Sequence, residues 1–314
     1  MKAIKISLVI VVVAAIAFYS VKSIQKTEDV NEIAAIENDH VKRIENFIEN
    51  IKTLPNNKFN KEMYAEGLAL IDHLYKPAPP SFPYGRLGET QSENDFRKKT
   101  LSKNLYSVYV KKFIDQTFNF FSGSAWNYED LKFIREESKT LSSSTYLSTG
   151  SPNFMKFREI QQILNKYDEI NRFINEAKNL KTPDGASAPI AVKFPIEEVN
   201  SKINQSQTYL NSNLGNSYVN NCSRLKQELR DIPNILFQKH IHYLNKKLDY
   251  WTGTYSAGYR TLTAYRDNVY SPINNEINSL SNQTYNAPDF DSRRASLRSK
   301  WELEARSAWN HFNK

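Results

Sequence analysis

Glycine is scarce in this chain: there are nine in 314 residues, about 3 per cent and under half the usual share. Few glycines allow few tight turns, so long helices are favoured over many short strands. Cysteine occurs once, at Cys222. That excludes an intrachain disulfide and leaves a small core residue as its ordinary role. No cysteine follows the hydrophobic start, which excludes a bacterial lipoprotein anchor. A mean hydropathy of −0.61 leaves room for no second membrane span. Also missing are Gly-x-Ser-x-Gly, the phosphate-loop glycine pattern, His-Glu-x-x-His and Cys-x-x-Cys, so acyl transfer, nucleotide hydrolysis and the common zinc sites lack their usual signatures. No repeat of solenoid length is present.

One long apolar run stands out. Ile6 to Val21, ISLVIVVVAAIAFYSV, carries no charge and is flanked by Lys2, Lys5, Lys22 and Lys26. As a helix its 16 residues span about 24 Å against a hydrocarbon core of about 30 Å, and Lys5 and Lys22 can snorkel to the headgroups. The segment has two readings. It is an uncleaved anchor, with the amino terminus inside and the body outside the cytoplasm, or it is a signal peptide cut after Ala15-Ile16-Ala17, leaving a secreted or periplasmic protein.

Charge excludes one class of partner. The formal net charge is +8, but Lys2, Lys5 and Lys22 belong to the leader region, and without them the balance is +5. Such a mild bias is no nucleic-acid footprint.

What is present is helical periodicity. Val30, Ile33, Glu37, His40, Ile44, Phe47, Ile51 and Leu54 recur at three- and four-residue spacing until Pro55 stops the pattern. Asn60 is a good cap for a second helix carrying Met63, Leu70, Ile71 and Leu74. Lys76 to Gly88 is a proline-dense connector whose Pro77-x-x-Pro80 and Pro80-x-x-Pro83 spacings also suit an aromatic groove. Helices are expected over Glu93–Phe121 and Trp126–Thr140, with a hydroxyl-rich loop from Ser138 to Pro152. The cleanest stripe is Phe157, Ile160, Ile163, Tyr167, Ile170, Ile174 and Ala177, whose period is that of coiled-coil-like packing. Lys181–Pro195, with its Pro-Asp-Gly turn, reads as a linker. Beyond it, a stripe from Ile196 to Ile232 predicts one long rod of about 55 Å. Pro233 should kink or restart that rod, Pro272 should bend the helix after it, and a last helix carrying Leu297, Trp301, Ala305, Ala308 and Phe312 should begin near Asp289.

These observations predict an all-α protein: an elongated bundle of long antiparallel helices with coiled-coil-like packing, preceded by one amino-terminal hydrophobic helix. Residues 1–23 form the anchor or signal, 28–180 an amino-terminal helical region, 181–195 a linker and 196–314 a carboxy-terminal helical region.

Candidate chemistry is sparse. His240 and His242 point about 200° apart on a helix and make no ligand pair. Adjacent acids such as Glu136 with Glu137 read as solvated or dipole-facing charges. Glu37 and His40 form Glu-x-x-His, the spacing with which di-metal bundles aim a carboxylate and an imidazole into a core. None of the other histidines (His73, His240, His242, His311) has a glutamate three residues before it, so the simpler role is a polar pair that fixes helix register. No cofactor is implied. Arg293, Arg294, Arg298, Lys300 and Arg306 thread through a helix bearing Trp301 and Trp309, a mixture suited to anionic lipid headgroups, although Glu302 and Glu304 make a solvated basic face the simpler account. The expectation is an exported, membrane-anchored bundle that binds or scaffolds an envelope partner, with self-association as one option. The alternative is a metal-dependent helical-bundle enzyme centred on Glu37 and His40.

Overall fold

The computed structural model describes residues 40–55, 60–74, 91–185 and 190–314, and among these the chain is all-helical, with no strand. Ile6–Val21, Glu37 and the proline connector lie outside the described residues, among which no helix is long and apolar enough to cross a membrane. Two compact units divide the chain, Met1–Asn119 with Glu136–Arg158, and Phe120–Arg135 with Glu159–Lys314.

In the first unit, residues 40–53 form α1 and Lys61–Leu74 form α2. The Asn60 side chain caps α2 as its sequence position predicts, its Oδ1 accepting the Met63 N–H at 3.0 Å. Helices α3 (Gln91–Ser122), α4 (Tyr128–Ser142) and α5 (Pro152–Lys178) follow, each with residues in both units. Asp72 pairs with Lys98 and Tyr64 stacks on Tyr109, so α2 runs antiparallel to α3. Tyr109 meets Glu137 and Tyr106 meets Leu141, so α4 runs antiparallel to α3. Gly67 permits close packing here, since a Cβ would fall 2.7 Å from Leu105 and 2.9 Å from Phe47. The hydroxyl-rich loop begins later than its composition suggests: Ser138 is fully buried within α4, and Ser151 caps α5 by accepting the Phe154 N–H.

In the second unit, every member of the α5 stripe from Ile160 to Ala177 is buried. Helix α6 (Ile196–Asn211) runs antiparallel to α5, with Lys202 beside Glu176 and Tyr209 beside Glu169. The expected rod from Ile196 to Ile232 does not form. Asn213, Leu214 and Gly215 adopt positive φ of 49°, 56° and 67°, a conformation that asparagine and glycine tolerate and that no α-helix contains. Leu214 is fully buried there, so core packing offsets its strain. Two 3₁₀ turns lead through Cys222, also fully buried, into α7 (Ser223–Trp251).

Pro233 neither ends nor restarts α7, which runs unbroken through it. Ile232, Leu236 and Phe237 around the proline are all buried, and this packing outweighs the lost backbone bond. After the single turn α8 (Tyr255–Gly258), Leu262–Ser279 is helical throughout, as α9 (Leu262–Tyr265), a π-helical turn (Arg266–Tyr270) and α10 (Ser271–Ser279). Pro272 explains the π turn. It has no N–H to continue the ladder, and the preceding Ser271 N–H bonds five residues back to Arg266 O. A short turn α11 (Asn282–Tyr285) precedes α12 (Phe290–Phe312).

Helix α12 runs antiparallel to α9–α10 but parallel to α7: Phe237 packs on Phe290, Asp249 pairs with Lys300, and Gly253 bonds to Glu304. The return through α9–α10 makes this direction possible.

Candidate functional site

Of the Glu37–His40 pair, Glu37 lies outside the described residues. His40 is exposed at the first described position of α1, and among the described residues no group of three or more His, Cys, Asp or Glu is placed to hold a metal ion. On α12, Trp301 is not a surface residue. It is 1 % exposed, stacks on Tyr270 with centroids 5.5 Å apart, and donates its indole N–H to Tyr270 O at 3.1 Å. Its three- and four-residue spacing from Leu297 to Ala308 places it on the inner face. Arg294 and Arg298 donate to the carbonyl and side chain of Asn278 at the end of α10, and Arg293 pairs with Asp289. Arg294 and Arg298 therefore hold α12 to α10, and Trp309, 57 % exposed, remains outside.

Several ionisable groups are buried, and each ends on a partner within its own unit. In the first unit Glu137 is buried, contrary to its reading as a solvated acid. Its carboxylate accepts from the Tyr109 hydroxyl at 2.8 Å and from Lys61 at 2.7 Å. Spacing explains the burial, because Glu137 is three residues past Ile134 and four before Leu141, both in the core. Burial, then the hydrogen bond to Glu137, push the Tyr109 hydroxyl far above its usual range.

In the second unit, Lys247 on α7 is fully buried. Its ammonium donates to Val192 O at 2.8 Å, Tyr243 Oη at 2.9 Å and Glu276 Oε2 at 2.9 Å, with Ile190 O at 3.3 Å. Burial raises the Glu276 carboxyl above the usual range although Lys247 pulls it down. The described parts of the segment after α5 are bound here on both sides of residues 186–189. Tyr243 donates to Val192 O and Lys239 to Leu180 O. Gly185 lies so close that a Cβ would sit 2.3 Å from Tyr243 O. His240 is buried beneath Phe194 and shares a 2.8 Å hydrogen bond with the Tyr285 hydroxyl. Burial lowers its pKa to about 3, which keeps the ring neutral. Glu304, also buried, accepts from the Gly253 N–H at 2.7 Å and the Tyr265 hydroxyl at 3.1 Å, closing the turn after α7.

The surface feature left over is a shallow polar trough on the outer face of α5, lined by Asp168, Asn171, Arg172, Asn175, Glu176 and Asn179. Its acids are already engaged: Asp168 receives both oxygen contacts from Arg135, and Glu176 receives Lys202 at 3.2 Å. Arg224 donates to Asn171 Oδ1 at 3.2 Å, leaving that amide its donors. Asn175 and Asn179 are exposed, and among the described residues their side chains make no hydrogen bond. The periodicity that marks the apolar stripe of α5 draws attention away from this opposite face, although its amides recur every four residues in plain sight.

Comparison with protein-family models, curated proteins and solved structures finds no match. The geometry therefore stands alone. Its buried acids and bases are neutralised in pairs or by hydroxyl and backbone partners, which suits them to joining helices, while the trough offers hydrogen-bond donors and acceptors to solvent.

Proposed function

We propose that the chain is a non-catalytic binding or scaffolding module, a helical body held outside the cytoplasm by Ile6–Val21 as a single-pass anchor and engaging a protein partner in the envelope. The finer architecture in this reading is an elongated bundle preceded by that hydrophobic helix. The observation that supports it is the use made of buried charge: Glu137, Lys247 and Glu304 are each consumed in bonds between elements of their own unit. An acid or base committed to such bonds holds packing in place, whereas one poised for proton transfer needs access to a reacting group. The uncharged run Ile6–Val21 between lysines supports the address.

A reporter fused after Lys314 tests the address: activity outside the cytoplasm agrees with it, and activity in the cytosol alone overturns it. Metal analysis of the purified full chain tests the non-catalytic part. A stoichiometric transition metal lost on Glu37→Ala would replace the scaffold with a metal-dependent enzyme.

A further inference from the structure

We infer that the trough on α5 is a docking surface for an extended polypeptide segment carrying an acidic side chain. This rests on the binding-module reading and names the class of partner. Asn171, Asn175 and Asn179 stand four residues apart on one helix, and four residues rise about 6 Å. An extended chain repeats every two residues, about 6.6 to 6.8 Å. The two spacings differ by about 1 to 2 Å over three amides, well within the reach of a side-chain amide.

Asn175 and Asn179 each offer a carbonyl oxygen and an NH₂ group, and Asn171, whose Oδ1 accepts from Arg224, offers its NH₂ group, matching the N–H and C=O that an extended peptide presents on one edge. Recognition through main-chain bonds gives affinity, and neighbouring side chains give selectivity. The row turns by about 40° per step around the helix, so it serves a short segment of about five to seven residues and no more.

Charge sets the selectivity. Arg135 and Lys202 neutralise Asp168 and Glu176. Arg172, exposed in the same trough, makes no hydrogen bond or ion pair among the described residues and reaches Glu169 only through its field. The trough therefore presents a guanidinium with its donors open beside a row of amides. An aspartate or glutamate on the docked segment would pair with it, and arginine is suited to hold a carboxylate through two bonds.

The test uses a phage-displayed library of random heptapeptides panned on the full chain in detergent, with fluorescence anisotropy of the enriched peptides. Enrichment of heptapeptides sharing an acidic residue is expected. Asn175→Ala with Asn179→Ala should weaken their binding by about tenfold or more, as loss of two hydrogen-bonding amides would. Arg172→Gln should remove the preference for the acid while retaining weaker binding. All three positions are exposed, so circular dichroism of the variants should match the parent. Failure to enrich any such peptide, or equal binding to the double variant, overturns the inference. If partner cross-linking to the full chain still succeeds then, the scaffold reading survives and only the docking surface is lost.

Discussion

The phenyl ring of Phe194 lies flat on the imidazole of His240, with ring centroids 3.9 Å apart and planes 5° from parallel. This stack pins the segment between α5 and α6 to α7, and it holds a titratable ring where water does not reach. Because burial lowers the folded pKa to about 3, the unfolded chain, with a value of about 6.5, binds the proton first. Stability from this group is complete above pH of about 6.5 and declines as pH falls toward about 3, with a slope of at most about 1.4 kcal/mol per pH unit. Urea unfolding of the chain and of His240→Phe across this range checks it: the difference between them should shrink or reverse on acidification, and a difference independent of pH would contradict it. Glu276, raised by burial, works in the opposite sense and is common to both proteins.

Gly185 meets the α7 backbone: a methyl group at its Cβ position would stand 2.3 Å from Tyr243 O and 2.8 Å from Lys247 N. Helix backbone cannot rotate aside as a side chain does. Gly185→Ala is expected to cost about 3 kcal/mol in urea unfolding and to speed proteolysis between α5 and α6.

Lys247 and Glu276 form a buried ion pair at 2.9 Å. Removing the cation alone strands Glu276 and the carbonyl of Ile190, so Lys247→Met should destabilise by about 3 to 5 kcal/mol. Adding Glu276→Leu should restore much of that loss, because two apolar side chains then share the site. Thermal unfolding of the two variants compares them directly.

In the first unit Glu137 is the acceptor for the buried Tyr109 hydroxyl. Glu137→Leu is expected to cost about 1 to 3 kcal/mol by leaving that hydroxyl unpaired. Tyr109→Phe made in the Glu137→Leu background should cost nothing further. A second, equal loss in the double variant would show that the two residues act independently.

The all-helical class was legible in the scarcity of glycine and in stripes such as Phe157 to Ala177, because burial repeats with the helical period whatever the tertiary context. Caps were legible too, as Asn60 shows. The break after Asn211 was not, since Leu210 and Leu214 continue the apolar spacing across it, and only tertiary burial keeps Leu214 at positive φ. At Pro233 the restart does not occur, because packing of its neighbours holds a helix that local chemistry would stop. Charge misled at Glu137 and Glu304, and gave no signal at Lys247. Each occupies a core position by spacing, yet a charged side chain reads as solvent-facing unless its partner is known. Trp301 admitted two readings, one on the apolar spacing of the last helix with Leu297 and Ala308 and one beside the arginines that surround it in sequence, and its burial agrees with the first. Of the trough, the four-residue row of asparagines was visible in the sequence, but not that Arg135 and Lys202 neutralise its acids and leave the Arg172 donors open.

Cross-linking of the full chain in its own membrane, with mass-spectrometric identification of the joined residues, tests the central claim most directly. The account predicts links from this chain to a separate protein in a constant ratio. Links confined to the chain itself at every reagent concentration would contradict it.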